Sequence, residues 1–106
     1  MRKAKVYLHG REAGLLEELL PGKAYRFDYM AHYRGDPISL VMPLSQKTYE
    51  FADFPPFFEG LLPEGLQLEG MLRRLKIDRN DLFKQLITTG ADFVGAITVE
   101  EVTEDA

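Results

Sequence analysis

The sequence predicts an α+β fold: a small antiparallel β-meander with two or three helices packed on it, in a single domain. Three observations point there. Over the first half of the chain, apolar and polar residues alternate in short runs separated by turn residues. In the second half, apolar residues instead recur every three or four positions. The 106 residues are 45% apolar with a net charge of −4, enough for one packed core and too apolar for wholesale disorder. The ordered core is expected over about residues 3 to 102, with Glu100, Glu101, Glu104 and Asp105 dissolving the pattern into an acidic tail.

The elements follow in order. Lys3 to Leu8 alternates, with Ala4, Val6 and Leu8 on one face, so it reads as a strand. His9-Gly10-Arg11-Glu12 supplies a turn. Ala13 to Glu18 returns as a second strand, with a short helix over Leu15–Leu20 as the competing reading. Leu20-Pro21-Gly22-Lys23 turns again. Tyr25, Phe27 and Tyr29 place three aromatics on one face of a third strand. After a loop from Met30 to Pro37, Ile38 to Met42 reads as a fourth strand and Thr48 to Phe51 as a short fifth. Leu68, Met71, Leu72 and Leu75 then mark an amphipathic helix with Gly70 inside it. Leu82, Phe83, Leu86 and Ile87 mark another, with Asp78 as its cap and Gly90 at its left-handed C-terminal position. Ala96 to Val102 closes the chain as a last strand.

Composition excludes several kinds of chemistry. There is no cysteine, hence no disulfide, thiol nucleophile or cysteine-held metal. A pI near 5.1 argues against a protein that grips nucleic acid through its overall charge. No run approaches about 18 apolar residues, and no signal-peptide pattern follows the basic start, so a cytoplasmic location is expected. His9 and His32 lack the spacing of metal ligands, and Ser39 and Ser45 sit in no nucleophile elbow. Gly90 to Gly95 has the glycine spacing of a P-loop but not its Lys and Ser/Thr. No cofactor, metal or catalytic residue is expected, and the chain is not expected to be an enzyme.

Three features are left. Arg73, Arg74, Lys76 and Arg79 form a basic cluster, which is either a contact patch for an acidic partner or the solvated face of its helix. The Tyr25/Phe27/Tyr29 stripe reads as core rather than as a base-stacking platform. The stretch FPPFFEGLLPEG, Phe54 to Gly65, has the spacing of one or two helical turns wedged against the sheet. Pro56 suits the first helical position, Gly60 allows close backbone approach, and Pro63-Glu64-Gly65 breaks that helix and starts the next. Leu66 falls outside the register of the helical stripe and is expected at the surface.

The order of these motifs, KVYLHGREAGLL, YRFDY, PISLVMPL, FPPFFEGLLPEG, LRRLKIDRNDLFKQL and GADFVGAITV, resembles the N-terminal subdomain of the HipA-type serine/threonine kinases of bacterial toxin–antitoxin systems. The resemblance spans about residues 3 to 102. In the fused family a kinase body carries ATP binding and catalysis, and none of its catalytic residues has a counterpart position here. A stand-alone subdomain resembles HipS of the HipB–HipS–HipT systems, which implies binding to a HipT/HipA-like kinase and its neutralisation. The expected partners are that kinase and, in a ternary complex, a HipB-like DNA-binding repressor. Direct nucleic-acid or membrane binding is not expected. An assembly subunit without inhibitory action is the alternative, and a nucleic-acid-binding regulator a weaker one. The residues expected at the contact are Glu64, Gly65, Leu66, Gln67 and Phe57, with Leu66 directed at the kinase's active-site cleft and the domain docked on its N-terminal lobe.

Overall fold

Alternation in the first half of the chain becomes a sheet. The computed structural model describes residues 1–92 and 95–102. Strands β1 (Lys3–Leu8), β2 (Arg11–Leu20), β3 (Ala24–Tyr29), β4 (Thr48–Phe51) and β5 (Ile97–Glu101) pair antiparallel in the order β4-β3-β2-β1-β5. Between β4 and β5 come helices α1 (Pro56–Glu59), α2 (Gly65–Leu75) and α3 (Leu82–Thr89), then a 3-10 turn over Gly90–Asp92. The architecture is α+β, as the sequence predicts. The first four strands form a meander, and β5 returns beside β1.

Register explains which residues are core. Ala4, Leu16, Phe27 and Tyr49 lie in one cross-strand row on the helix-facing side, and Val99, Val6, Gly14 and Tyr29 in the next. Phe27 lies across Gly14, where a Cβ would come within 2.5 Å of the ring. The other face is solvated, as one side of an antiparallel sheet can be. There Lys3, Glu17, Arg26 and Glu50 form a row of alternating charge. The Arg26 guanidinium donates to Glu17 at 2.8 Å, and Lys3 Nζ lies 3.8 Å from the same carboxylate.

The β1–β2 connection is a two-residue turn with His9 at φ 51° and Gly10 at φ 81°, the hairpin geometry whose twist matches the strands. Residues 15 to 20 are strand rather than helix. As the central strand, β2 pairs on both sides, and that pairing overrides the local helical preference of the leucines.

Ile38 to Met42 is not a strand. It forms a turn closed by the Met42 N–H on the Ser39 carbonyl at 3.0 Å. The Tyr29 hydroxyl accepts from the Ile38 N–H at 3.0 Å and donates to the Met42 carbonyl at 2.5 Å. One side chain therefore satisfies backbone groups that a ladder would have served. Ile38 and Met42 are buried, while Leu40 and Val41 between them are 95% and 77% exposed.

Other details depart from expectation. The α3 cap is Asp81, not Asp78: the Asp81 carboxylate accepts from the Lys84 N–H at 3.1 Å, while Asp78 accepts from the Asn80 N–H within the preceding turn. Gly90 is right-handed at φ −59°. Its glycine serves packing instead, since a Cβ there would sit 2.2 Å from the Val99 carbonyl oxygen. Gly60 is not a close approach, because a Cβ would meet only carbonyls of its own turn at 3.5 Å. Leu75 leaves the α2 stripe and is 44% exposed. Leu68, Met71 and Leu72 pack with Ile77 in a small cluster separate from the main core. The Phe93-Val94 pair of the closing motif and the acidic tail lie outside the described residues.

Arg2 joins the layers. Its guanidinium donates to both oxygens of Glu18 on β2 at 2.7 and 2.8 Å and to both oxygens of Asp81 at 2.9 and 3.1 Å. It also lies 5.1 Å from the Phe83 ring centroid. Burial pushes the Asp81 carboxyl up, but hydrogen bonds from Arg2 and the Lys84 amide outweigh it and hold the group below its ordinary value.

Each edge of the sheet has one outward carbonyl that is already occupied. The Tyr29 N–H bonds the Lys47 carbonyl, so the Thr48 carbonyl points outward from β4, and there the Gln46 side-chain amide caps it at 2.6 Å. On β5 the bonds from His9 to Ala96 and from Val102 to Lys3 leave the Val99 carbonyl facing outward, directly against the backbone of Gly90.

Candidate partner-docking surface

The helical layer is built on α1. Pro55 is its N-cap and Pro56 its first helical residue, where the missing N–H is no loss. Phe58 is fully buried against Phe27 at a centroid distance of 5.9 Å, and Phe54 meets Tyr25 edge-on at 5.3 Å. Phe57 is half-buried, edge-on to Phe58 at 5.1 Å and packed on the main core. Most of the aromatic chemistry in this stretch is therefore a joint between sheet and helices.

The turn that follows is different. Glu64, Gly65, Leu66 and Gln67 are all exposed, and Leu66 is 91% so. Gly65 takes φ 60°, a left-handed conformation that lets α2 begin abruptly after Pro63. The turn is a ridge between two open hollows. One, of about 830 Å³, is lined by Leu61, Leu66, Gln67, Met71, Arg74 and Thr89 among others. The other, of about 530 Å³, is lined by Pro56, Glu59, Leu68, Leu82 and Gln85 among others. Gly60, Leu62, Pro63 and Glu64 border both. A third hollow, of about 400 Å³, lies apart beside β5, between Tyr7, Ile87, Ala91 and Val99.

The four basic residues are exposed but do not act alike. Arg79 forms a two-pronged pair with Glu69 at 2.6 and 2.7 Å, which holds that carboxyl below its ordinary value. Lys76 is left-handed at φ 56° and ends α2, its N–H donating to the Leu72 carbonyl. Arg73 and Arg74 sit in the last turn of α2, where cations complement the helix dipole. Arg74 also borders the larger hollow beside Leu66.

Tyr25, Phe27 and Tyr29 are 3%, 0% and 4% exposed, so they form core and not a stacking platform. His9 and His32 are exposed. Among the described residues, no group of three or more His, Cys, Asp or Glu is placed to hold a metal ion, and no helix is long and apolar enough to cross a membrane. Sequence reasoning missed the projection of Leu40 and Val41. The signal for it was Pro37 and Pro43 bracketing the segment, since proline removes donors from a ladder.

The HipA N-terminal domain family matches residues 4–100. The chain is similar to an uncharacterized protein of Haemophilus influenzae, 33% identical over 101 residues, which cover 95% of this chain and 93% of the relative. Among solved structures it is similar to the N-terminal domain of HipA toxin, with a TM-score of 0.77 and 29% identity over 99% of this chain and 96% of that one. The chain belongs to the HipA N-terminal domain family.

Proposed function

We propose that this chain is an antitoxin-like binding protein, without catalysis of its own, that docks on a HipT/HipA-type serine/threonine kinase and inhibits it. The observation that carries the reading is Leu66, 91% exposed on a ridge between two hollows. Family membership supports the association with a toxin, because the similar solved structure is itself one domain of a toxin.

Inhibition needs little force. Phosphoryl transfer depends on positioned nucleotide and metal, so an aliphatic side chain pressed into the cleft, or a small shift of the lobe beneath it, lowers the rate steeply. Glu64, Gly65 and Gln67 shape the ridge that carries Leu66, and half-buried Phe57, packed on the main core, is assigned to the same contact. A HipB-like repressor joins the same assembly in this reading.

The test is co-expression with the kinase encoded beside the gene, followed by growth measurement and size exclusion. Rescued growth with co-elution is the expected result, and Leu66→Glu is expected to weaken inhibition at least tenfold, because a buried unpaired carboxylate is costly. Co-elution without rescue would replace inhibition by an assembly role. Neither rescue nor co-elution would remove the kinase as partner.

A further inference from the structure

The hollow of about 530 Å³ beside the Pro63 ridge has apolar walls, from Pro56, Leu62, Leu68 and Leu82, and its only charges are Glu59 and Glu64. We infer that it is a socket for an arginine side chain of the docked kinase, across the ridge from Leu66. The inference deepens the proposed function and rests on it for the partner's identity.

Gln85 carries the argument. It is only 1% exposed, although its side chain is polar. Its carboxamide nitrogen donates to the Asp78 carbonyl at 3.3 Å and to the Arg79 carbonyl at 3.0 Å. Only the NH2 end can face two carbonyls, so the amide has one orientation, with Oε1 turned away from them. Oε1 has no hydrogen-bond partner among the described residues. Every fully buried side-chain polar atom among those residues does have one, so Oε1 is not sealed in: it opens on the hollow that Gln85 lines. An acceptor at the foot of an apolar-walled hollow gains more from a ligand's N–H than one at the open surface.

Charge selects the donor. Glu59 and Glu64 are exposed on the border, and neither forms an ion pair with a described residue. No Lys, Arg or His borders the hollow. Arg79, whose carbonyl holds Gln85, has its guanidinium on Glu69. The start of α2 at Gly65 is the one positive pole on the border, and Glu64 stands beside it as N-cap. An acidic side chain would meet two like charges, and an apolar one would shut Oε1 away from any donor. A cation on an aliphatic stem suits both features, the stem lying on the leucines and the head meeting the acceptors. Arginine fits better than lysine, because its head is less hydrated and offers five donors in a rigid fork.

The test has two arms. In the first, the isotope-labelled free chain is titrated with N-acetyl-arginine methylamide and with its lysine and norleucine counterparts, followed by NMR. The socket is supported by saturable movement of the Gln85 carboxamide and of the Glu59 and Glu64 amides, tightest for arginine and lost in Glu59→Gln/Glu64→Gln. A Gln85 carboxamide that does not move, or norleucine or lysine binding as tightly as arginine, overturns it. In the second, the kinase is titrated by calorimetry with the unmodified chain, with Glu59→Gln/Glu64→Gln, and with Glu12→Gln/Glu50→Gln, which removes the same charge from the solvated face of the sheet. The expected result is affinity about tenfold weaker for the first pair at an unchanged melting temperature, and near-full affinity for the second. Equal losses, or none, overturn the socket and leave the proposed function standing. No binding by the unmodified chain overturns the proposed function and with it the kinase as the source of the arginine. An unmodified chain that self-associates while Glu59→Gln/Glu64→Gln is monomeric gives the arginine to a second copy and also overturns the inference. Should that pair melt early, Glu59→Gln alone decides in its place.

Discussion

Two glycines show how differently one residue type can serve. Gly70 faces open space inside α2, with nothing within 4 Å of where a Cβ would be. Gly90 lies so close to β5 that a Cβ would overlap the Val99 carbonyl. Gly70→Ala is therefore expected to raise stability by up to about 1 kcal/mol, through helix propensity alone. Gly90→Ala is expected to lower it by about 1–3 kcal/mol, because backbone must move. At roughly 4–8 °C per kcal/mol in a domain of this size, thermal melts of the two variants should shift in opposite directions. The Gly70 cost was readable from the sequence, as a glycine inside a helical stripe. Gly90 looked like a left-handed cap, because the Val99 carbonyl that decides its role is distant in the chain.

Among the elements, α2 stands apart. Its apolar side chains form a small cluster with Ile77 rather than joining the main core. Local opening is governed by how much apolar surface an element buries. Amides of 65 to 75 are expected to exchange with solvent through an opening cheaper than global unfolding, while those of β1, β2 and α3 exchange only with it. Met71→Ala should speed exchange across α2 selectively, and hydrogen exchange read by mass spectrometry checks this. Strand and helix identities were legible wherever a period was sustained, as in Lys3–Leu8, Ala24–Tyr29 and Leu82–Thr89. The reading failed over 38 to 42, where Ile, Leu and Val suggested a strand and the deciding partner was a tyrosine hydroxyl nine residues upstream. For the candidate site, the off-register place of Leu66 in α2 announced its exposure. The exposed Leu40–Val41 turn was marked only by Pro37 and Pro43 on either side of it, a signal outweighed by its strand-like Ile, Leu and Val.

At the scale of the whole molecule, Arg2 fastens the start of the chain to β2 and to the first turn of α3. The Asp81 carboxyl is depressed below its ordinary value of 3.8 in the folded protein. Its contribution is therefore fully present above that value and is lost as pH falls through the lower folded value. Asp81→Asn keeps a capping oxygen and gives up the ion pair. It should cost on the order of 1 kcal/mol at neutral pH, and its stability should converge on that of the parent as pH falls below 3.8. Asp81→Ala loses the cap as well, about 1 kcal/mol more, at every pH. Denaturant titrations at several pH values separate the two effects.

The occupied carbonyls on the sheet edges bear on the choice of partner. A bare strand edge accepts almost any extended peptide, because main-chain groups are the same in every sequence. With the Gln46 amide on one border and the Gly90 backbone on the other, each edge has an outward carbonyl already occupied, which works against that promiscuous mode of association. Under the proposed docking, discrimination falls more to side chains on the turn at Pro63–Gln67, where Glu64, Leu66 and Gln67 are exposed and can be exchanged without disturbing the scaffold beneath.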